Sequence, residues 1–242
     1  MAAETPTPLV PNEFAVAWDA IVAPRAAFTA LRERPRWLIA YVVTCVLGVI
    51  GAILQAPAGA HIAENMVQKM IATDPNVAAM SADRQQALMA QTVGIQHYVW
   101  VFYPVIVIIA LALTAVVLLI ARAIGKGNAS YARLFAVAAL AGIVNFGLAY
   151  LYIGIIVAFK GGANFDTQRE LFATLPSLAW LVPGAGLRLA AFLSAFSVFS
   201  IWAAYLIMLG LEIVAGVSRR VAVSTMIVLL LLSGSITALT AR

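Results

Sequence analysis

Five long apolar runs constrain the fold of this 242-residue chain more than any other feature of its sequence. The hydrocarbon core of a bilayer is about 30 Å thick, and about 20 helical residues cross it. Backbone N–H and C=O groups find no partners in lipid, so a segment that crosses it must satisfy them itself, as a helix does. The chain is therefore predicted to be all-α, a polytopic bundle of five transmembrane helices. The runs occupy about 37–55, 98–120, 134–159, 189–214 and 221–239.

The composition agrees with lipid as the main solvent. Hydrophobic residues make up 64% of the chain and charged residues 10%, whereas soluble domains carry about 25% charged residues. No connection between the runs could hold a separate soluble domain of about 100 residues. The net charge of +5 is explained by basic residues at the cytoplasmic ends of membrane helices, so we predict no nucleic-acid partner.

The basic residues are unevenly distributed between the two sides of this predicted bundle. Nine of the 15 lysines and arginines lie before the first run, between the second and third, or between the fourth and fifth. Short cytoplasmic connections hold such an excess in multi-pass membrane proteins. The pattern predicts a protein of the inner cell membrane with a cytoplasmic amino terminus and an outer carboxyl terminus. The first run follows 36 residues, too many for a secretory signal, so we expect it to be retained.

The segment 1–36 has the pattern of interfacial amphipathic helices on the cytoplasmic side. Apolar residues recur in it at helical spacing, and Pro24 suits the first turn of a second helix. The stripe consists of Phe14, Trp18, Ile21 and Val22. Four arginines follow it: Arg25, Arg32, Arg34 and Arg36. We predict that these arginines dock on lipid headgroups or on a partner; the alternative is ordinary flanking charge.

The connections 56–97 and 160–188 are predicted to form short helices over the outer end. Asp74 followed by Pro75 is typical of a helix start. The stretch LFATLPSLAWLVPGAGL, within the second connection, is apolar but interrupted by prolines and glycines. This pattern indicates an interfacial or re-entrant segment rather than another crossing.

Three stretches carry a resemblance to a known family. They are IVAPRAAFTALRERPRW before the first run, IGKGNASYARLFAVAALAGIVNF leading into the third, and IWAAYLIMLGLEIVAGVSRRVAV between the fourth and fifth. The chain resembles the YIP family, most closely its bacterial members. The resemblance implies five spans, a cytoplasmic amino terminus and no settled activity. Eukaryotic members are linked to Rab-type GTPases through an arm with a DLYGP-like motif, where this chain has ETPTPLVPNEF.

The sequence carries no motif for a nucleotide site, a zinc protease or a serine hydrolase. We therefore predict no enzymatic activity and no cofactor. His61 and Glu64 lie three residues apart and could meet His97 at a metal on the outer side. The alternative is that all three are ordinary polar residues of the outer connections.

Two functions remain open on this basis. The first is a non-enzymatic membrane-organising or partner-binding protein, whose partners would be membrane lipids and a membrane or cytoplasmic protein. Ala/Gly-rich faces such as Ala138 to Gly142 favour close helix packing or a homodimer.

The second function is a transporter or permease for a small molecule, ion or lipid. Its path would be lined by Glu212, Asn145 and Tyr205, because polar groups within membrane helices mark such paths. A simpler explanation for Glu212 is an ion pair with a nearby arginine, and for Asn145 a hydrogen bond between helices.

Overall fold

The computed structural model of the protein describes residues 12–240, and all regular elements in this range are helices. The first part of the predicted segment 1–36 and the last two residues lie outside the described range. The α-helices are α1 (Glu13–Val22), α2 (Pro24–Glu33), α3 (Leu38–Thr73), α4 (Pro75–Ala78), α5 (Ala82–Gln96), α6 (Val99–Ile124), α7 (Tyr131–Gly142), α8 (Ala149–Lys160), α9 (Gln168–Phe172), α10 (Leu187–Ser194), α11 (Val198–Ile213) and α12 (Arg219–Thr240). A π-helical segment, Ile143–Leu148, joins α7 to α8 without a break.

Four helices in the described range are long and apolar enough to cross a membrane: α3, α6, the continuous helix from α7 to α8, and α12. The predicted all-α class of long apolar helices is confirmed. The predicted run at 189–214 differs, because α10 and α11 divide it at residues 195–197. The count of five long spans is therefore not confirmed.

Hydroxyl groups and backbone pairing explain this break. The Ser194 hydroxyl donates to the carbonyl of Ala191 at 2.7 Å, and the Ser197 hydroxyl caps α11 by accepting from the Ser200 N–H at 3.1 Å. The Val198 N–H donates to the Pro176 carbonyl at 2.9 Å instead of continuing a helix. The proline-rich stretch before α10 thus pairs with the break and interrupts an otherwise apolar run.

The first long helix is also longer than predicted, since α3 runs 36 residues through Pro57 into the connection 56–97. Its second half packs beside α5, and the two form an antiparallel hairpin. Asp74 ends the first arm and caps α4, accepting from the Asn76 N–H at 2.9 Å. The connection is therefore an extension of the bundle.

The helix from α7 to α8 forms the centre of the bundle. Its apolar window is 72% buried inside the chain, against 28% for α3 and for α6 and 11% for α12. Ala138 and Gly142 both lie inside, against helices of the same chain. Close packing through small residues thus occurs within the chain, while a homodimer through other Ala/Gly faces stays a prediction.

Different helices and connections lie at the two ends of the bundle. At one end, α1 and α2 pack against the bundle, and the connections 125–130 and 214–218 meet where the Asn128 N–H donates to the Ala215 carbonyl at 3.1 Å. We call this the basic end, after the arginines described below. The α3–α5 hairpin, α9 and α10 gather at the opposite, distal end.

Candidate functional site at the basic end

Two short helices cover the basic end, and they use their apolar faces differently. The fully buried Phe28 and Leu31 of α2 pack in the main core, and α2 contacts α7 and α11. In α1 only Ala17 and Ala20 are buried. Sequence periodicity predicted an interfacial role for both helices, but the apolar face of α2 is covered by protein.

The exposed side of α1 carries an apolar stripe. Phe14, Trp18 and Val22 are 61%, 63% and 57% exposed and lie four residues apart, hence on one face of the helix. Asn12 fixes the start of α1 by accepting from the Phe14 N–H at 3.3 Å. Large apolar residues aligned and uncovered at the end of a bundle mark a contact surface.

All four predicted docking arginines are exposed at the same end. Arg36 Nη1 lies 2.9 Å from Glu13 Oε1 and so ties α1 to the chain just before α3. Both partners are partly exposed, so this pair contributes at most about 1 kcal/mol. Arg25, Arg32 and Arg34 form no ion pair with any described residue. They remain available for anionic groups from outside.

A cavity of about 570 Å³ opens between α1, α2, the start of α3 and Leu140 of the central helix. Its polar lining includes Glu13, Glu33, Arg34 and Arg36, and its apolar lining includes Val16, Leu31, Ile39 and Leu140. Carboxylates, guanidinium groups and apolar walls side by side match the boundary between a lipid headgroup and its chains. The cavity lies in the segment that the sequence predicted to be interfacial.

A sequence model described as the Yip1 domain matches residues 18–239, nearly the whole chain. The chain belongs to the Yip1 domain family. The resemblance inferred from the three quoted stretches is thereby confirmed. No curated protein and no solved structure is similar enough to match the chain. Within the Yip1 domain, the roles of individual residues must therefore be argued from their surroundings.

The three candidate path residues of this Yip1 domain lie at different depths. Counted at about 1.5 Å per residue, Glu212 is about 1.5 Å and Tyr205 about 12 Å from the end of α11. Asn145 lies in the π segment, about 21 Å from the start of α7 by the same count. None of the three lines the cavity at the basic end. Glu212 thus lies apart in depth from Asn145, and a path lined by all three residues stays a prediction.

Glu212 stands out because of its unsatisfied oxygen. Its Oε2 is buried and accepts no hydrogen bond from residues 12–240, and the expected ion pair with a nearby arginine is absent from that range. Arg122 also has a buried Nε without a partner in the described chain, near the end of α6. Sequence analysis counted Arg122 among the basic residues of the connection after the second run, which it ended at 120, whereas α6 continues to Ile124.

Tyrosines within the bundle are a second feature that sequence analysis missed. The Tyr103 hydroxyl donates to the carbonyl of Phe146 in the π segment at 2.5 Å. The Tyr41 hydroxyl donates to the Pro104 carbonyl at 3.0 Å. Proline and π-helical segments disturb the regular hydrogen bonding of a helix. Pro104, a proline inside an apolar run, was the feature of the sequence that could have indicated such a hydrogen bond.

The outer histidines make local contacts at the distal end. His61 Nε2 lies 3.2 Å from Asp166 Oδ1, which also accepts from Asn65 Nδ2 at 3.0 Å. His97 Nδ1 lies 3.3 Å from the Val93 carbonyl of its own helix. In the part of the chain that the structure describes, no three His, Cys, Asp or Glu residues form a group that could hold a metal. His61, Glu64 and His97 do not converge.

Proposed function

We propose that this Yip1-family protein is a non-enzymatic multi-pass membrane protein that organises the bilayer by binding lipid at its basic end. The observation that carries the proposal is the exposed stripe of Phe14, Trp18 and Val22 beside arginines of α2 that form no ion pair with residues 12–240. Amphipathic helices with this combination lie in the interface, with apolar side chains below the headgroups and basic groups at the phosphates.

The magnitudes favour such a role. Burying one large apolar side chain in lipid contributes about 1.5–3 kcal/mol, and one arginine near an anionic surface about 1 kcal/mol. Because α2 is held by Phe28 and Leu31 in the core, its arginines keep a defined position relative to α1. The cavity beside them would accept one headgroup, and a membrane or cytoplasmic protein could dock on the same surface.

We propose further that the basic end is cytoplasmic and that α11 is the fifth crossing. The 16 residues of α11 extend about 24 Å. Its first residue pairs with Pro176 at the distal end. Beyond its last residue, the Ala215 carbonyl accepts from Asn128 at the basic end. These contacts support a helix that runs from one end to the other, with α10 lying at the distal interface.

Lipid retention tests the function. We expect the double variant Arg25→Ala and Arg32→Ala to retain several-fold less anionic phospholipid than the parent after transfer into mixed-lipid nanodiscs, measured by mass spectrometry. The control, Arg84→Ala with Arg188→Ala, removes two exposed arginines at the distal end. Equal retention by both double variants would exclude the basic end as the lipid-binding surface.

A transporter is the second candidate, and it is favoured by the Oε2 of Glu212, which is buried and has no partner among the described residues. An acid of this kind near the end of a membrane helix can carry a proton. In liposomes with an imposed potential and an internal pH dye, a proton-coupled carrier would acidify the lumen, and Glu212→Gln would abolish this flux. Asn145→Leu tests the rest of the path. Identical leak rates for parent and variants would remove this alternative.

A further inference from the structure

The break between α10 and α11 borders a second cavity, of about 670 Å³, at the distal end. Its walls come from α9, α10, the start of α11 and the end of α12. Six of the residues that line it carry hydroxyl groups: Thr167, Ser194, Ser197, Ser200, Ser233 and Thr237. Hydroxyls from four helices and their caps thus meet at one place in a chain that is 64% hydrophobic.

The serine hydroxyls of this lining have unused hydrogen-bonding capacity. Ser197 Oγ and Ser200 Oγ lie 2.8 Å apart and share one hydrogen bond, so the second hydroxyl hydrogen of this pair can point elsewhere. Ser194 donates to its own helix and keeps its acceptor lone pairs. The Ser233 carbonyl accepts from the Thr237 hydroxyl at 2.9 Å, but the Ser233 hydroxyl itself makes no hydrogen bond with the described residues. The lining can therefore both donate to a ligand and accept from it.

A neighbouring serine also has a hydroxyl that the internal hydrogen bonds do not use. Ser177 faces Ser197 across an isolated backbone bridge, and its Oγ is buried without a hydrogen-bond partner in residues 12–240. Buried hydroxyls are normally paired, because an unpaired one loses its bond to water without replacement. The region around the break thus holds more polar groups than its internal hydrogen bonds use.

The described lining of the cavity carries one positive charge. Among the described residues that line it, Arg169 is the sole charged one, and it forms no ion pair within the described chain. A guanidinium binds phosphate through two parallel hydrogen bonds. One arginine surrounded by hydroxyls calls for a ligand with one anionic phosphate and several hydroxyl groups.

We propose that this cavity binds a glycerophosphate group, with Arg169 at the phosphate and the serine and threonine hydroxyls at the glycerol oxygens. Its volume falls in the range of about 300–1,000 Å³ typical of small-ligand sites. Two sources supply this chemistry: the headgroup of phosphatidylglycerol from the surrounding leaflet, and glycerol 3-phosphate from water. The inference does not depend on the proposed function, because its site is at the opposite end of the bundle.

The experiment measures both ligands on the full chain. Every protein carries Arg25→Ala and Arg32→Ala, so that arginines of the basic end do not dominate lipid binding. Phosphatidylglycerol is titrated into phosphatidylcholine nanodiscs and its adducts are counted by mass spectrometry. Radiolabelled glycerol 3-phosphate is titrated in parallel. The variants are Arg169→Gln, the charge-preserving Arg169→Lys, and the control Arg188→Gln, an exposed arginine outside the cavity.

We expect Arg169→Gln to weaken binding of one of the two ligands about tenfold, as the loss of a charged hydrogen bond does. Arg169→Lys keeps the charge but loses the paired hydrogen bonds, so its affinity should fall between those of Arg169→Gln and the parent, while Arg188→Gln should bind nearly as the parent does. Dependence on Arg169 for phosphatidylglycerol assigns the lipid source, and dependence for glycerol 3-phosphate assigns the aqueous one. The proposal is overturned if neither ligand binds, or if Arg169→Gln and Arg188→Gln bind alike. Ser200→Ala is a second test variant and should weaken binding of the same ligand.

Discussion

Single residues set how closely the central helices approach. Gly51 of α3 faces the backbone of Tyr150, and a Cβ at position 51 would lie 2.5 Å from the Tyr150 carbonyl carbon. Gly154 faces Gly51 in turn, and a Cβ at position 154 would lie 2.9 Å from the Gly51 Cα. A methyl group has no space between two backbones in contact. The crossing of α3 with the central helix therefore depends on these glycines.

We expect Gly51→Ala to destabilise the protein by about 1–3 kcal/mol, the usual cost of overpacking. Gly94→Ala is the matched control, since a Cβ at position 94 meets nothing within 4 Å and alanine favours a helix by about 1 kcal/mol. Unfolding in mixed micelles, followed by circular dichroism, measures both. A Gly51→Ala protein as stable as the parent would mean that the helices are not in contact there.

A second prediction at this scale concerns Tyr103, because its hydroxyl donates a hydrogen bond to the π segment. Tyr103→Phe leaves the Phe146 carbonyl without this donor and should cost about 1–2 kcal/mol. Tyr152→Phe is the control, since the Tyr152 hydroxyl makes no hydrogen bond with the described residues. The same unfolding measurement applies, and equal stability of the two variants would contradict the role given to the Tyr103 hydroxyl.

At the scale of elements, α1 and α2 are two short helices with opposite exposure. Phe28 of α2 is 0% exposed and Phe14 of α1 is 61% exposed. Periodicity identifies an apolar face in each helix, but it does not say whether protein or lipid covers that face. In the structure, protein covers the apolar face of α2, whereas residues 12–240 leave the face of α1 exposed. Attachment to the bundle is therefore the role of α2, and the face of α1 is open to another contact.

We expect Phe28→Ala to cost about 3–5 kcal/mol, as for other buried phenylalanines, and to release α2 from the bundle. Phe14→Ala changes the same residue type at an exposed position and should leave α2 attached. Limited proteolysis at Arg25 and Arg32, timed on gels, separates the two outcomes. Rapid cleavage of the Phe14 variant with slow cleavage of the Phe28 variant would reverse the assignment.

The sequence predicts the long helices well and their ends less well. Apolar length alone identifies α6, the central helix and α12. The first run was predicted to end at about residue 55, yet α3 continues through Pro57 to Thr73, with α5 packed beside its extension. The break at 195–197 was missed because two serines in an apolar run are equally compatible with a continuous helix. Their capping role appears once Pro176 and Val198 are paired.

The candidate sites were predictable to different degrees. The arginines of the basic end followed from charge and spacing alone, since flanking charge is local in sequence. The glycerophosphate cavity could not be predicted, because Arg169, Ser197 and Ser233 are brought together by three different elements. His61 pairs with Asp166, which lies 105 residues away in the sequence. Contacts between residues so far apart in the sequence depend on tertiary packing.

The whole molecule is a bundle with two chemically different ends. The basic end carries arginines and an uncovered apolar stripe, and the distal end carries a hairpin, a broken helix and a hydroxyl-lined cavity. A multi-pass protein with these ends would contact lipid differently in the two leaflets. The position of α1 in the membrane is central, because the proposed lipid-binding function depends on it.

Spin-label depth measurement tests this position most directly. Cys45 is the one cysteine in the chain, so Cys45→Ala allows a single label at Trp18→Cys, with Asp19→Cys as the control on the neighbouring face of α1. In liposomes, we predict that the label at position 18 collides mainly with lipid-soluble oxygen and the label at position 19 mainly with a water-soluble nickel chelate. Equal access of the nickel chelate to both labels would contradict the account.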